Sequence, residues 1–157
     1  MNGARDSSPG SPSGSPTGSP TFAQQRLICF ALLMGVGAFA LVVAFLLQQN
    51  GGAGLSPEVD PMLGTLVLVV GPSMAVAALG MRSVLRRKAD AAPVATRAMA
   101  RFRAVLVPMA MLEGGALLGI TVWMLSGAAV PNLVVALVLL ALMIALVPLR
   151  DPDDGMR

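Results

Sequence analysis

The chain offers few side chains that could carry chemistry. It has no histidine, no tyrosine and a single cysteine, Cys29. Disulfide frameworks, Cys or His metal clusters, and Ser/His or Cys/His catalysis are thereby excluded together. No catalytic residue, metal or cofactor is expected, and the protein is not expected to be an enzyme. The one conspicuous reactive group is the carboxyl of Glu113, in "PMAMLEGGALLGI" (Pro108 to Ile120), with only apolar or small residues for about ten positions on either side.

The elements that must position this group follow from composition. At 55% hydrophobic and 12% charged residues, with a mean hydropathy of +0.77, the chain is too apolar for a soluble domain. Four runs, 27–47, 62–81, 104–125 and 131–149, are nearly free of charge. Each is long enough to cross a hydrocarbon core of roughly 30 Å as a helix rising about 1.5 Å per residue. In lipid a helix satisfies its own backbone hydrogen bonds, and none of the runs alternates with the period of two that a barrel strand requires. The expected fold is an all-α integral membrane bundle of four transmembrane helices occupying residues 26–150. It is preceded by a Ser/Pro/Gly-rich tail (1–25), which is expected to be disordered, and followed by a short charged tail (151–157).

The distribution of charge sets the expected orientation. Two basic residues precede the first run, seven lie in the connection 82–103 (Arg82, Arg86, Arg87, Lys88, Arg97, Arg101, Arg103) and two follow the last; the other connections have none. The positive-inside rule then places both termini and the 82–103 connection in the cytoplasm, with the protein in the cell (inner) membrane. Trp123, near the other end of the third run, fits an interfacial anchor. The lipid bilayer is the expected partner, and Arg82, Arg86, Arg87 and Lys88 can also meet anionic lipid headgroups. A pI near 10.5 does not imply nucleic acid here, because the basic residues flank membrane runs and lack interleaved aromatics. Within the connection Pro93 should interrupt helix, and Thr96 can cap a helical extension, "RAMARFR", leading into the third span.

Glu113 falls ten residues after Arg103 and twelve before Leu125, which puts it near the bilayer midplane. A charged side chain at that depth costs roughly 2.5–3.5 kcal/mol, so it needs a counter-charge or a proton. Arg103 is about 15 Å away along the helix axis, so a protonated Glu113 is expected. Ser73, at matching depth on the second run, is the expected partner, beside carbonyls freed by Pro72 and Pro108. Close packing is expected at Ala110-x-x-x-Gly114 and Gly115-x-x-x-Gly119 on the third run and at Gly71 on the second, with homo-oligomers a possible outcome. Cys29 is read as a space-filling thiol.

The sequence "GPSMAVA" (Gly71 to Ala77), the basic connection, and "RAVLVPMAMLEGGALLGI" (Arg103 to Ile120) locally resemble the carboxylate hairpin of the rotor ring subunit (subunit c) of ATP synthases. That resemblance implies an ion- or proton-carrying role for Glu113, with Ser73 beside it. The third run and the tail "LRDPDDGMR" also resemble small uncharacterised bacterial four-span membrane proteins, a likeness that implies no particular activity. Two functions from different classes are therefore expected: a structural or accessory helical bundle in which Glu113 fixes packing, and a proton- or ion-coupled membrane element.

Overall fold

A computed structural model describes residues 22–147, with the side chains of 59–61 excepted; the Ser/Pro/Gly-rich segment up to residue 21 and the charged C-terminal segment lie outside the described residues. All regular structure within that range is helical: α1 (Phe22–Gln49), one 3-10 turn (Pro57–Val59), α2 (Asp60–Asp90), α3 (Val94–Ser126) and α4 (Asn132–Leu146). α1 begins at Phe22, so residues 22–25 belong to the first helix rather than to the tail.

Three of the helices, α1, α2 and α3, are long and apolar enough to cross a membrane. α4 is not. Its 15 residues span about 22 Å, short of a roughly 30 Å core. Within the described residues the helix of the expected fourth span, 131–149, ends at Leu146, and the chain explains why. Val147 precedes Pro148, and the proline ring disfavours helical backbone in the residue before it. Val147 accordingly leaves the helix with φ −59° and ψ 126°.

The basic connection is mostly helix. α2 runs on to Asp90 and α3 starts at Val94, leaving only residues 91–93 as the turn. Pro93 stands at the N-cap of α3, where its missing N–H is no loss. Thr96 lies inside α3, its hydroxyl donating to the Pro93 carbonyl at 3.3 Å. Arg97 reaches back across the turn, with Nε and Nη2 both donating to the Ala92 carbonyl at 3.3 and 3.2 Å.

α3 is the hub: it packs against α1, α2 and α4, whereas α1 and α2 make no contact with each other among the described residues. The seams repeat close to every 3.5 residues, the spacing that keeps one stripe of a helix facing a neighbour. On α4 the stripe is Asn132, Ala136, Leu139, Met143 and Leu146. On α1 it is narrower, Cys29, Val36, Val43 and Leu47, and Leu27, Met34, Leu41 and Phe45 beside it stay exposed. Such outward apolar side chains suit a lipid environment, where no hydrophobic force drives them inward. On α2 the buried stripe is Gly64, Val67, Gly71 and Ala78. Its small residues let α4 approach closely, and Val135 of α4 lies where a Gly71 side chain would be.

Candidate functional site

Glu113 is carried by the middle of α3, on the flank between a packed side and an open one. The packed side is set by glycine. A Cβ on Gly115 would lie 2.9 Å from Leu139 Cδ1 and 3.5 Å from Met74 Cβ; on Gly119 it would lie 3.0 Å from the Asn132 carbonyl oxygen and 3.3 Å from Ala136 Cβ. Gly119 thus admits the backbone of α4, and Gly115 makes room for the Leu139 side chain of α4 and for Met74 of α2.

Nine residues, or two and a half turns, separate Ala110 from Gly119, which puts them on opposite sides of α3. Ala110 and Gly114 are exposed, and nothing lies within 4 Å of a Cβ built on Gly114. Arg103 and Val107 are exposed too, so Arg103, Val107, Ala110 and Gly114 form an open stripe with the 4-3-4 spacing of a helix-packing seam. Of the small residues expected to pack helices, Gly71, Gly115 and Gly119 lie inside the bundle. Ala110 and Gly114 lie on its outside.

Glu113 itself is half-buried beside this stripe. No hydrogen bond or ion pair reaches its carboxyl among the described residues. Ser73 is level with it, since its neighbour Met74 packs on Gly115, but it faces the other way. Its side chain is exposed, and Oγ donates to the Val69 carbonyl one turn earlier on the same helix at 2.7 Å. The two residues share a depth without sharing a face. Along α2, small residues at every second position (Gly71, Ser73, Ala75, Ala77) wind around the helix; only Gly71 among them is buried.

A second polar group, which depth and spacing alone do not reveal, closes the end of the bundle opposite the basic residues. Asn132, the first residue of α4, is 0% exposed. Its Nδ2 donates to Ser126 Oγ at 3.3 Å and to the Ala128 carbonyl at 3.1 Å, while its Oδ1 is buried without a partner. Ser126 Oγ also accepts from the Ala128 N–H at 3.1 Å. The signal in the sequence is an asparagine directly after a proline at a helix start, on the buried stripe of an otherwise apolar helix.

The α1–α2 loop lies across the same end. Helix C-termini leave carbonyls without intrahelical donors, and here the loop supplies them. The N–H groups of Leu55 and Ser56 donate to the carbonyls of Met124 and Leu125 at 3.1 and 2.8 Å. Gly127 ends α3 in the left-handed region, φ 74°, its N–H donating to the Trp123 carbonyl at 2.8 Å. The loop approaches so closely because Gly54 has no side chain: a Cβ there would collide with the backbone of Leu125, Ser126 and Gly127.

Comparison with known protein families, with curated proteins and with solved structures finds no match to this chain.

Proposed function

We propose that the protein is a structural or accessory membrane bundle that associates with further copies of itself through the open stripe of α3, with Glu113 forming the interhelical hydrogen bond that sets the register. The observation that carries this reading is the pairing of that stripe, Arg103, Val107, Ala110 and Gly114, with a half-buried carboxyl that finds no partner inside the bundle. Small residues four apart let two backbones approach closely in lipid. A protonated carboxyl both donates and accepts, so across a two-fold axis Glu113 complements its own copy, and a self-complementary patch is what such symmetry requires.

The orientation belongs to the same proposal. The described cations, Arg26 at the start of α1 and Arg82 to Arg103 around the α2–α3 turn, gather at one end, and the loop bonded to Met124 and Leu125 holds the C-termini of α1 and α3 together at the other. The positive-inside rule makes the basic end cytoplasmic in the cell membrane. By the same rule the basic residues that flank the runs, Arg5 and Arg26 before the first and Arg150 and Arg157 after the last, put both termini on the cytoplasmic side.

The test is the oligomer mass of the full chain in mild detergent and its self-association in lipid by energy transfer between labelled copies. Gly114→Leu should leave the protein folded, because its surroundings are open, and abolish association. Glu113→Gln should retain it, and Glu113→Leu should weaken it about 3- to 18-fold, from roughly 0.6–1.7 kcal/mol for a polar contact between helices. A wild-type protein that stays monomeric in bilayers sinks the proposal. Proton flux through wild-type liposomes that is lost in Glu113→Gln would transfer the role of Glu113 to ion coupling.

A further inference from the structure

The seam between α2 and α3 does not close at its basic end. There it opens into a cavity of about 330 Å³, lined by Leu85, Lys88, Thr96, Met99, Ala100 and Arg103. That volume is at the low end for sites that take small molecules. Its lining combines two cations and a hydroxyl with an apolar floor.

Both cations are exposed, and helix geometry directs them along the cavity. Side chains on an α-helix tilt toward its N-terminus. On α2 that carries the Lys88 ammonium back toward Leu85 and the membrane; on α3 it carries the Arg103 guanidinium toward Met99 and the turn. The two helices run in opposite directions, so the two groups converge on the cavity from its two ends. Neither has a hydrogen bond or ion pair among the described residues. The cavity also lies where a headgroup would be. Arg103 marks the edge of the apolar run 104–125, and Thr96 is seven residues, about 10 Å, beyond it. The polar layer on one side of a bilayer is about 5–8 Å thick.

We infer that this cavity is a binding site for a phosphate group, held between Lys88 and Arg103, with Leu85, Met99 and Ala100 taking the apolar part of a lipid that carries it. The inference shares Arg103 with the stripe proposed for association of α3, and Lys88, which lies on α2 away from that stripe, separates the two. It also separates Lys88 from Arg86 and Arg87, which do not line the cavity and feel only the general field of an anionic surface.

The experiment uses the full chain in detergent, titrated with a fluorescent phosphatidylglycerol, with phosphatidylcholine as the zwitterionic comparison and inorganic phosphate as competitor. Lys88→Gln combined with Arg103→Gln should weaken phosphatidylglycerol binding about tenfold or more. Arg86→Gln combined with Arg87→Gln removes the same charge outside the cavity and should weaken it less than about threefold. Thermal unfolding of each variant reports that the fold is kept, and Lys88→Gln alone, at an exposed position, provides the reading if the double variant unfolds. Displacement of the lipid by millimolar inorganic phosphate identifies free phosphate as a ligand of the same site; resistance to it identifies the lipid as the source. Equal losses in the two double variants, or no loss in either, overturn the inference.

Discussion

Gly54 and Gly127 meet backbone to backbone: a Cβ on Gly127 would lie 2.5 Å from the Gly54 amide nitrogen and 2.8 Å from the Gly52 carbonyl oxygen. Neither position has room for a side chain. This contact joins the α1–α2 loop to the turn between α3 and α4, and it lets the loop's N–H groups reach the carbonyls of Met124 and Leu125.

Gly127→Ala should therefore cost more than an ordinary glycine substitution. A non-glycine residue in the left-handed region costs about 1–2 kcal/mol, and displacing the Gly54 backbone adds to that, for a total of about 2–4 kcal/mol. Gly51, with φ 64° and nothing within 4 Å, carries only the first cost. Unfolding of both variants in detergent, followed by circular dichroism, should rank Gly127→Ala well below Gly51→Ala.

Two glycines five residues apart on α3 should respond with opposite signs. In the dissociated monomer, Gly114→Ala adds a methyl in open space and gains about 0.5–1 kcal/mol from lower backbone entropy in the unfolded chain. Gly119→Ala pushes against the Asn132 carbonyl and Ala136, and overpacking of about 1–3 kcal/mol exceeds that gain. Thermal midpoints that shift in the same direction for both would contradict the assignment of a packed and an open side to α3.

The buried amide at the start of α4 should be energetically coupled to Ser126. Ser126→Ala removes the acceptor used by both Asn132 Nδ2 and the Ala128 N–H, a loss of about 1–3 kcal/mol. Asn132→Ala removes the other half of the same bond and the bond to the Ala128 carbonyl, together with an unsatisfied Oδ1. A double-mutant cycle should show the two changes falling short of additivity by about 0.5 kcal/mol or more.

Arg97 holds the turn between α2 and α3 through the Ala92 carbonyl. Arg97→Leu should change global stability by no more than about 1 kcal/mol, because the site is only part-buried. Its effect should be local. Elastase, which cuts after small residues but not before proline, should cleave after Ala91 several-fold faster than in the wild type, and an unchanged rate would remove Arg97 from this role.

The helices were legible in the sequence because long uncharged runs bounded by charge or proline leave so plain a signal. Gly115 and Gly119 were readable from their spacing for the same local reason. Depth was readable too, and Met74 against Gly115 places Ser73 level with Glu113. Direction around the helix was not. Ser73 lies two residues from the buried Gly71, and at about 100° per residue it points away from the seam. A 3.5-residue count through Gly64, Gly71 and Ala78 carries that information; alternate small residues do not. The loop across the end of α3 could not be read at all, because its bonds join residues about 70 positions apart and depend on how the finished helices stand. Asn132 left a signal of type and position, though its partners also come from the folded turn.

That long separation orders assembly in time. When α1 and α2 have been synthesised, the N–H groups of Leu55 and Ser56 face water, and the carbonyls they will bond do not yet exist. The first two helices, which do not touch each other, can enter the bilayer as independent segments but cannot be a finished hairpin. They become fastened to one another through α3 and α4, after these have been added. Interrupting translation before residue 94 should leave α1 and α2 tethered by their loop but not packed on one another.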